Sequence, residues 1–174
     1  MNLTIREATE ADLDRILSVY RDAGLDRRRS LTLEEARTVF RKISSYPRYK
    51  LYVAEDGADV VGTFALLIMD NLVNGGAPSG IVEDVAVAQT AQRRGVGKKM
   101  MESAREVCRR HGCYKMLLSS NEIRTEAHQF YESIGFTRHG YSFRVELDAA
   151  MQAGGSPRPP AAPKSESCRR TDDS

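Results

Sequence analysis

The stretch Gln92-Arg93-Arg94-Gly95-Val96-Gly97-Lys98-Lys99 sets two glycines, one residue apart, among cations and ahead of a helix-forming run. That combination suits an anion. A helix N-terminus presents backbone N–H groups without intrahelical partners, together with the positive end of the helix dipole. Side chains at positions 95 and 97 would hold a diphosphate away from those amides, and glycine removes them. A Walker A loop is excluded, because it needs glycine at position 92, which is Gln, and Ser or Thr at position 99, which is Lys; Met100 excludes the dinucleotide fingerprint. A tight turn before a solvated basic helix start would use the same residues. The surroundings decide between them.

Upstream, Glu83 and Asp84 stand between Val82 and Val85 in an alternating run. Carboxylates there could act as a general base, directly or through water, or receive a substrate ammonium. Adjacent residues of a regular strand face opposite sides of a sheet, so aiming both at one site requires an irregularity such as a bulge. A second charged cluster, Asp26-Arg27-Arg28-Arg29, could clamp a phosphate or carboxylate. Equally, it could be a solvated charge run partnered by Asp22 and Asp26.

Periodicity supplies the elements that must position these groups. Leu3 to Arg6 begin a strand. Thr9 with Asp12 starts a helix carrying Leu13, Ile16, Leu17 and Tyr20 on one face and ending at Gly24. Thr32 and Glu35 form a capping box ahead of Ala36, Val39, Phe40 and Ile43. Lys50 to Glu55 and Val60 to Met69 read as a hairpin turning at Asp56-Gly57. Ile81 to Ala88 is a strand, and the helix after the glycines buries Val96, Met100, Ala104 and Val107. "YKMLLSS" is a further strand, Ile123, Ala127, Phe130 and Ile134 line another helix, and Phe136-Thr137 and Tyr141 to Leu147 close with strands. The expected fold is a single α/β domain: a mixed sheet of about six or seven strands, antiparallel with a central parallel pair, flanked by four helices.

Composition fits one domain with a full core. The net charge of +2 over 174 residues is too small to imply a nucleic-acid partner. No window reaches the length of a membrane span, and the charged, alternating N-terminus argues against a secretory signal. Cys108, Cys113 and Cys168 lack metal-ligand spacing, so a reduced cytosolic protein without structural zinc is expected. The folded domain is expected over residues 1–147. Residues 148–174, "GGSPRPPAAPKSESCRRTDDS" and its approach, are rich in Pro, Ser and Gly and are expected to be a disordered tail.

Val85 to Gly97, "VAVAQTAQRRGVG", resembles motif A of the GNAT superfamily of acetyl-CoA-dependent N-acetyltransferases, and Ala127, Tyr131, Gly135 and Phe136 in "AHQFYESIGF" resemble its motif B. The order and separation of the two motifs match, and so does the order of elements from about Leu3 to Leu147. The resemblance implies that acetyl-CoA is the cofactor. Backbone amides from Arg93 to Lys98 would wrap its pyrophosphate, with Gln92 at the motif's first position and Gly95, Val96 and Gly97 in the turn. Val85 and Val87 would pair their main chain with the pantetheine arm where neighbouring strands splay, the Val87 amide polarising the thioester carbonyl. Arg93, Arg94 and Lys98 would neutralise phosphates. Tyr131 matches the tyrosine that the family often places near the sulfur as an acid; its other reading is a core tyrosine beside Phe130.

Glu83 is the first choice as base. Many members carry an asparagine at the position of Arg124; here Asn121 lies a little upstream, and its contact with the cofactor arm stays open. "SSNEIRTEAHQFY" looks similar to aminoalkylphosphonate acetyltransferases, whereas "VEDVAV" and "GCYK" look similar to glucosamine-6-phosphate N-acetyltransferases. In the family the loop after the first helix lines the acceptor pocket. Arg27, Arg28 and Arg29, with Glu83 and Asp84, would therefore contact a small amine, anionic in this reading. The resemblance also implies a homodimer, since the last strands of relatives often pair across subunits. Rival readings are a protein N-terminal or lysine acetyltransferase and a catalytically weak acetyl-CoA-binding module.

Overall fold

The computed structural model describes residues 2–25 and 29–145. Strand β1 (Leu3–Glu7) leads through a short 3-10 turn at Glu10–Asp12 into α1 (Leu13–Asp22), then α2 (Leu33–Ser44), β2 (Tyr49–Asp56) and β3 (Asp59–Met69). The chain continues as β4 (Ser79–Val87), α3 (Val96–Arg110), β5 (Lys115–Leu118) and α4 (Thr125–Ser133). Among the described residues the sheet has five strands in the order β1-β2-β3-β4-β5. The first three pairings are antiparallel and β4 lies parallel to β5.

Local chemistry accounts for the boundaries. At the start of α2, Glu35 N–H donates to Thr32 Oγ1 at 3.3 Å, while Thr32 N–H donates to the Glu35 carboxylate at 2.8 Å. This satisfies two N-terminal donors reciprocally. The Asp12 carboxylate accepts from Thr9 N–H at 2.7 Å and from the fork of Arg6 at 2.8 Å on both oxygens. The Arg6 guanidinium, ahead of burial and the Thr9 bonds, sets its pKa well below the usual carboxylate range. Helix α3 closes with a Schellman arrangement, Cys113 N–H on Cys108 C=O at 3.0 Å and Gly112 N–H on Arg109 C=O at 2.9 Å. Cys108 and Cys113, at the C3 and C″ positions, belong to the same apolar cluster.

The sheet carries a core on each side. Phe64, Leu66, Val82, Met100, Met101 and Ala104 pack between the sheet and α3. Leu13, Ile16, Leu17, Val53, Val60 and Ala86 pack beneath α1 and α2. Truncating a side chain such as Met100 would cost about 2–5 kcal/mol.

One irregularity in β4 positions the site. Thr63 pairs with Ala86 and Ala65 with Glu83, so β4 holds one residue more than β3 across this interval. Asp84 sits there with φ of 52°, in the left-handed region. The extra residue changes which side chains share a face. Val82 lies in the α3-side core with Val85 and Val87 packed against it, while Ala86 belongs to the α1-side core.

The count of about six or seven strands is corrected to five. No strand forms at residues 136–145, where the last strands were expected; alternation becomes a strand only when a neighbour satisfies its backbone. Residues 140–145 belong to a separate unit of the chain, in which Tyr141, Phe143 and Val145 are 93%, 93% and 77% exposed. Residues 146–174, including Leu147 and the expected tail with Cys168, lie outside the described residues. Ile123 is also exposed: it stands in the turn ahead of α4 instead of on its inner face. Val39 is exposed on α2, which packs through Ala36 and Phe40.

Candidate active site

Strands β4 and β5 pair only from Ser79 with Lys115 to Val82 with Leu118. Beyond that point Glu83 to Val87 have no strand partner on the β5 side among the described residues. Unpaired strand backbone in a domain interior offers a ladder to an extended ligand. The gap opens directly ahead of the glycine turn, so the main chains of Val85 and Val87 lead into Gln92 to Lys98.

The turn is fixed from both ends. Gln89 N–H donates to the Asp22 carboxylate at 2.6 Å, and the Gln89 side-chain amide donates to Asp22 C=O at 2.9 Å, tying the 3-10 turn at Gln89–Ala91 to the end of α1. The Gln92 side chain donates to Val87 C=O at 3.3 Å. Arg93 and Gly95 take φ of 59° and 84°. Alternation into the left-handed region turns successive N–H groups to one side and forms an anion-binding nest. Lys99 N–H on Gly95 C=O, at 3.0 Å, begins the helical ladder of α3. The amides of Val96, Gly97 and Lys98 therefore lie in the unpaired first turn.

The two glycines answer different demands. Gly95 needs its backbone conformation, since a Cβ there would meet nothing within 4 Å. Gly97 needs its smallness for packing, because a Cβ would lie 3.0 Å from Phe130 Cζ on α4. Val96 contributes only its backbone, with its side chain buried in the α3-side core. The cations separate as well. Arg94 leans toward Asp56 at 3.8 Å, Arg93 is exposed, and Lys98 lines a cavity of about 250 Å³ with Arg105 and Ser133 between α3 and α4.

Tyr131 is half-buried on α4 between Phe130 and Phe136, with ring centroids 5.2 and 5.6 Å away. Desolvation raises its phenol pKa, with Arg124 acting in the opposite direction. Its hydroxyl has no hydrogen-bond partner among the described residues. Asn121 shapes the approach to α4: its side-chain oxygen accepts from Ile123 N–H at 3.1 Å and its C=O from Arg124 N–H at 3.0 Å. Among the described residues the Asn121 side-chain NH₂ makes no hydrogen bond.

On the α1 side, the bulge brings the paired carboxylates to one locality. Desolvation and then the charge of Asp84 raise the Glu83 carboxyl pKa, and desolvation raises that of Asp84. Tyr49 is raised by desolvation first and then by Asp84 and Glu83 together. Tyr20, on α1, is raised by desolvation and by Asp84, with Thr63 acting in the opposite direction. Sequence reading missed Tyr20 and Tyr49. Tyr20 completes an apolar stripe and packs against the α1-side core, and only the fold brings the charge of Asp84 to bear on it.

The arginine cluster is partly placed. Arg27 and Arg28 lie outside the described residues. Arg29 forks onto the Glu35 carboxylate at 3.0 Å through both Nη atoms, joining the capping box of α2.

A glycine turn at a helix start, a parallel pair that splays beside it and carboxylates at the splay coincide with a family match. The chain belongs to the Acetyltransferase (GNAT) family, which matches residues 13–136. It is 33% identical over 98 residues to a glucosamine 6-phosphate N-acetyltransferase of Trypanosoma brucei brucei, a match covering 56% of this chain and 65% of that protein. The chain thus spans just under two thirds of that relative. Among solved structures it superposes on an acetyltransferase of Trypanosoma brucei with TM-score 0.72 and 28% identity, covering 84% of this chain and 100% of that one. The glucosamine-6-phosphate N-acetyltransferase of Arabidopsis thaliana has TM-score 0.75 at 24% identity, covering 85% and 100%, a likeness of fold. Among the described residues no helix is long and apolar enough to cross a membrane.

Proposed function

We propose that this protein transfers an acetyl group from acetyl-CoA to the primary amine of a small molecule, by direct attack in a ternary complex. The observation that carries this reading is the end of β4–β5 pairing at Val82 and Leu118, immediately before the glycine turn. The pantetheine arm would continue the ladder along Val85 and Val87, and the Val87 N–H would hold the thioester oxygen. The pyrophosphate would sit on the amides of the turn, from Arg93 to Lys98, with Lys98 and Arg93 as its nearest cations. The residues present fit that cofactor: left-handed φ at Arg93 and Gly95 creates the anion nest, and the first turn of α3 leaves its donors open.

Direct transfer needs no enzyme nucleophile. The amine must attack neutral, and Glu83, a better base than an ordinary carboxylate because burial and Asp84 raise its pKa, takes its proton directly or through water. The C–S bond would break as the C–N bond forms; Tyr131 would give its proton to the departing thiolate and regain one from the second proton lost by the attacking nitrogen. Held in a desolvated setting without an internal partner, its hydroxyl is suited to that task.

The acceptor in this reading is a small anionic amine, such as an amino-sugar phosphate or an aminophosphonate. The named activity of the Trypanosoma relative supports it, and Arg27 and Arg28 would be its anion contacts. Arg29 serves chiefly to hold α2. A panel of amines, read by release of free coenzyme A thiol, tests the whole. Glucosamine 6-phosphate should outperform glucosamine, and aminomethylphosphonate a neutral alkylamine, by about ten- to a hundredfold in kcat/KM. Preference for the neutral member of both pairs refutes the anionic acceptor, and no turnover of any amine refutes acetyl transfer to small molecules.

A homodimer belongs to the same reading, in a cytoplasmic protein. The alternating exposed side chains of Tyr141, Phe143 and Val145 support it; light scattering giving a monomer mass at micromolar concentration would remove it.

A further inference from the structure

Resting on the acetyl-transfer reading, we infer that Asp22, 67 residues upstream of Gln89, is a positioning residue for the coenzyme A pyrophosphate. Through Gln89 it holds the glycine turn in the shape that receives the anion, before the anion arrives.

Asp22 breaks a local rule. It is the last residue of α1, where the helix dipole favours a cation and disfavours a carboxylate. The helix gains nothing from that charge, and its use lies across the fold. The backbone at this helix end points the same way. Of the last four carbonyls of α1, those of Val19, Tyr20 and Arg21 accept from Ala23, Leu25 and Gly24 N–H at 2.9, 3.0 and 3.1 Å. The fourth, Asp22 C=O, accepts from the side-chain amide of Gln89 at 2.9 Å. A carbonyl that helices ordinarily leave to water or a local cap is met here by a residue of the cofactor motif.

The second bond crosses the first. Gln89 N–H donates to the Asp22 carboxylate at 2.6 Å, so side chain meets backbone in both directions and Gln89 is fixed in place and in orientation. The hold then passes on within the turn. Gln92 N–H donates to Gln89 C=O at 3.3 Å, and the Gln92 side chain donates to Val87 C=O at 3.3 Å. The next residue is Arg93, whose φ of 59° opens the left-handed alternation of the nest. A non-glycine residue keeps such a conformation only where its surroundings impose it. The clamp supplies that constraint one residue ahead, and amides arranged in advance lose less freedom when the ligand binds.

Charge separates this role from simple attraction. A carboxylate near an anion site repels the anion through any unscreened distance, so Asp22 serves the pyrophosphate only by geometry. Asparagine keeps an acceptor oxygen and removes the charge.

The test uses the full-length protein and two acyl donors: acetyl-CoA, and S-acetylpantetheine, which has the thioester and the arm but no pyrophosphate. Asp22→Ala should weaken acetyl-CoA binding in calorimetry, and lower kcat/KM for acetyl-CoA, by about tenfold, the scale of one charge-assisted hydrogen bond. Its kcat at saturation should stay within about threefold, and kcat/KM with S-acetylpantetheine within about twofold. Asp22→Asn should bind acetyl-CoA within about threefold of wild type and melt no lower, since the helix end loses an unfavourable charge. Gln89→Pro removes both donors at the first position of its 3-10 turn. Ala88, with φ of −53° and ψ of 139°, already has the conformation that proline requires before it. This variant should match Asp22→Ala, and the two together should be no weaker than either alone, as expected of one unit. If Asp22→Ala fails to fold, Gln89→Pro read against Asp22→Asn still decides. Acetyl-CoA affinity within about twofold of wild type in Gln89→Pro, or an equal loss with S-acetylpantetheine, overturns the inference and leaves acetyl transfer standing. A wild type that binds no acetyl-CoA fails at the earlier step, and the inference falls with it.

Discussion

The first turn of α3 meets the aromatic face of α4 where Gly97 faces Phe130, across a gap that a Cβ would narrow to 3.0 Å. The turn proposed to hold the pyrophosphate and the helix carrying Tyr131 are thus in direct contact. Gly97→Ala should push Phe130 away, lowering stability by about 1–3 kcal/mol, and should reduce kcat by displacing its neighbour Tyr131. Combining it with Phe130→Leu should recover much of both losses. Thermal unfolding of the double-mutant cycle measures the coupling; strictly additive effects would show that the two residues do not press on each other.

The glycine turn yields a contrasting pair. Gly95→Ala forces a side chain into φ of 84°, costing about 1–2 kcal/mol, and should weaken acetyl-CoA binding by distorting the nest. Arg93→Gly relaxes a position already at φ of 59° and should leave stability unchanged or slightly raised. Calorimetric titration with acetyl-CoA and a melting curve for each variant check both. Equal affinity in a folded Gly95→Ala protein would exclude the nest as the binding element.

Tyr131→Phe should lower kcat by about 10²–10⁴-fold, the range of general-acid catalysis, with KM for acetyl-CoA nearly unchanged. Ring packing against Phe130 and Phe136 survives the substitution, so stability should hold. A loss of less than about threefold would restrict Tyr131 to packing.

The carboxylate pair predicts two pH effects of opposite direction. The acidic limb of the wild-type kcat/KM profile should lie above the usual carboxylate range, because desolvation and Asp84 raise Glu83. Asp84→Asn removes the like charge and should move that limb to lower pH, while Glu83→Gln should abolish it, with the largest loss of kcat/KM above the pKa of Glu83 and the smallest below it. For stability, the folded-state pKa of Asp84 is raised. Its ionisation therefore opposes folding as pH rises through the unfolded and then the folded value. Asp84→Asn should be the more stable protein at neutral pH, by less than about 1 kcal/mol given its solvent exposure, and should lose this advantage below the ordinary carboxylate range. Melting curves at both pH values decide the sign.

What the sequence revealed depended on how local the cause was. The capping box of Thr32 and Glu35, the turn at Asp56-Gly57 and the glycine turn at the start of α3 are set by residues a few positions apart, and the structure has all three. The bulge is different. Val82-Glu83-Asp84-Val85 is compatible with regular alternation, and the extra residue appears only when β4 is laid against β3. At the C-terminal side, Tyr141, Phe143 and Val145 have the period of a strand, but periodicity describes one edge and pairing requires two. Ile123 fell off the face of α4 because Asn121 holds the turn before the helix begins.

The extra residue in β4 also bears on how variants of this chain can arise. Replacement of a side chain between Val82 and Val87 alters one neighbour at a time, and the surrounding cores can adjust. Loss of a single codon there would act like a frameshift in three dimensions. Val85 and Val87 would turn toward α1, Ala86 toward α3, and Gln92 would no longer meet the Val87 carbonyl. Directed evolution of acceptor choice should therefore draw on substitution libraries at Glu83 and Asp84, and libraries that vary the length of this strand should return inactive proteins.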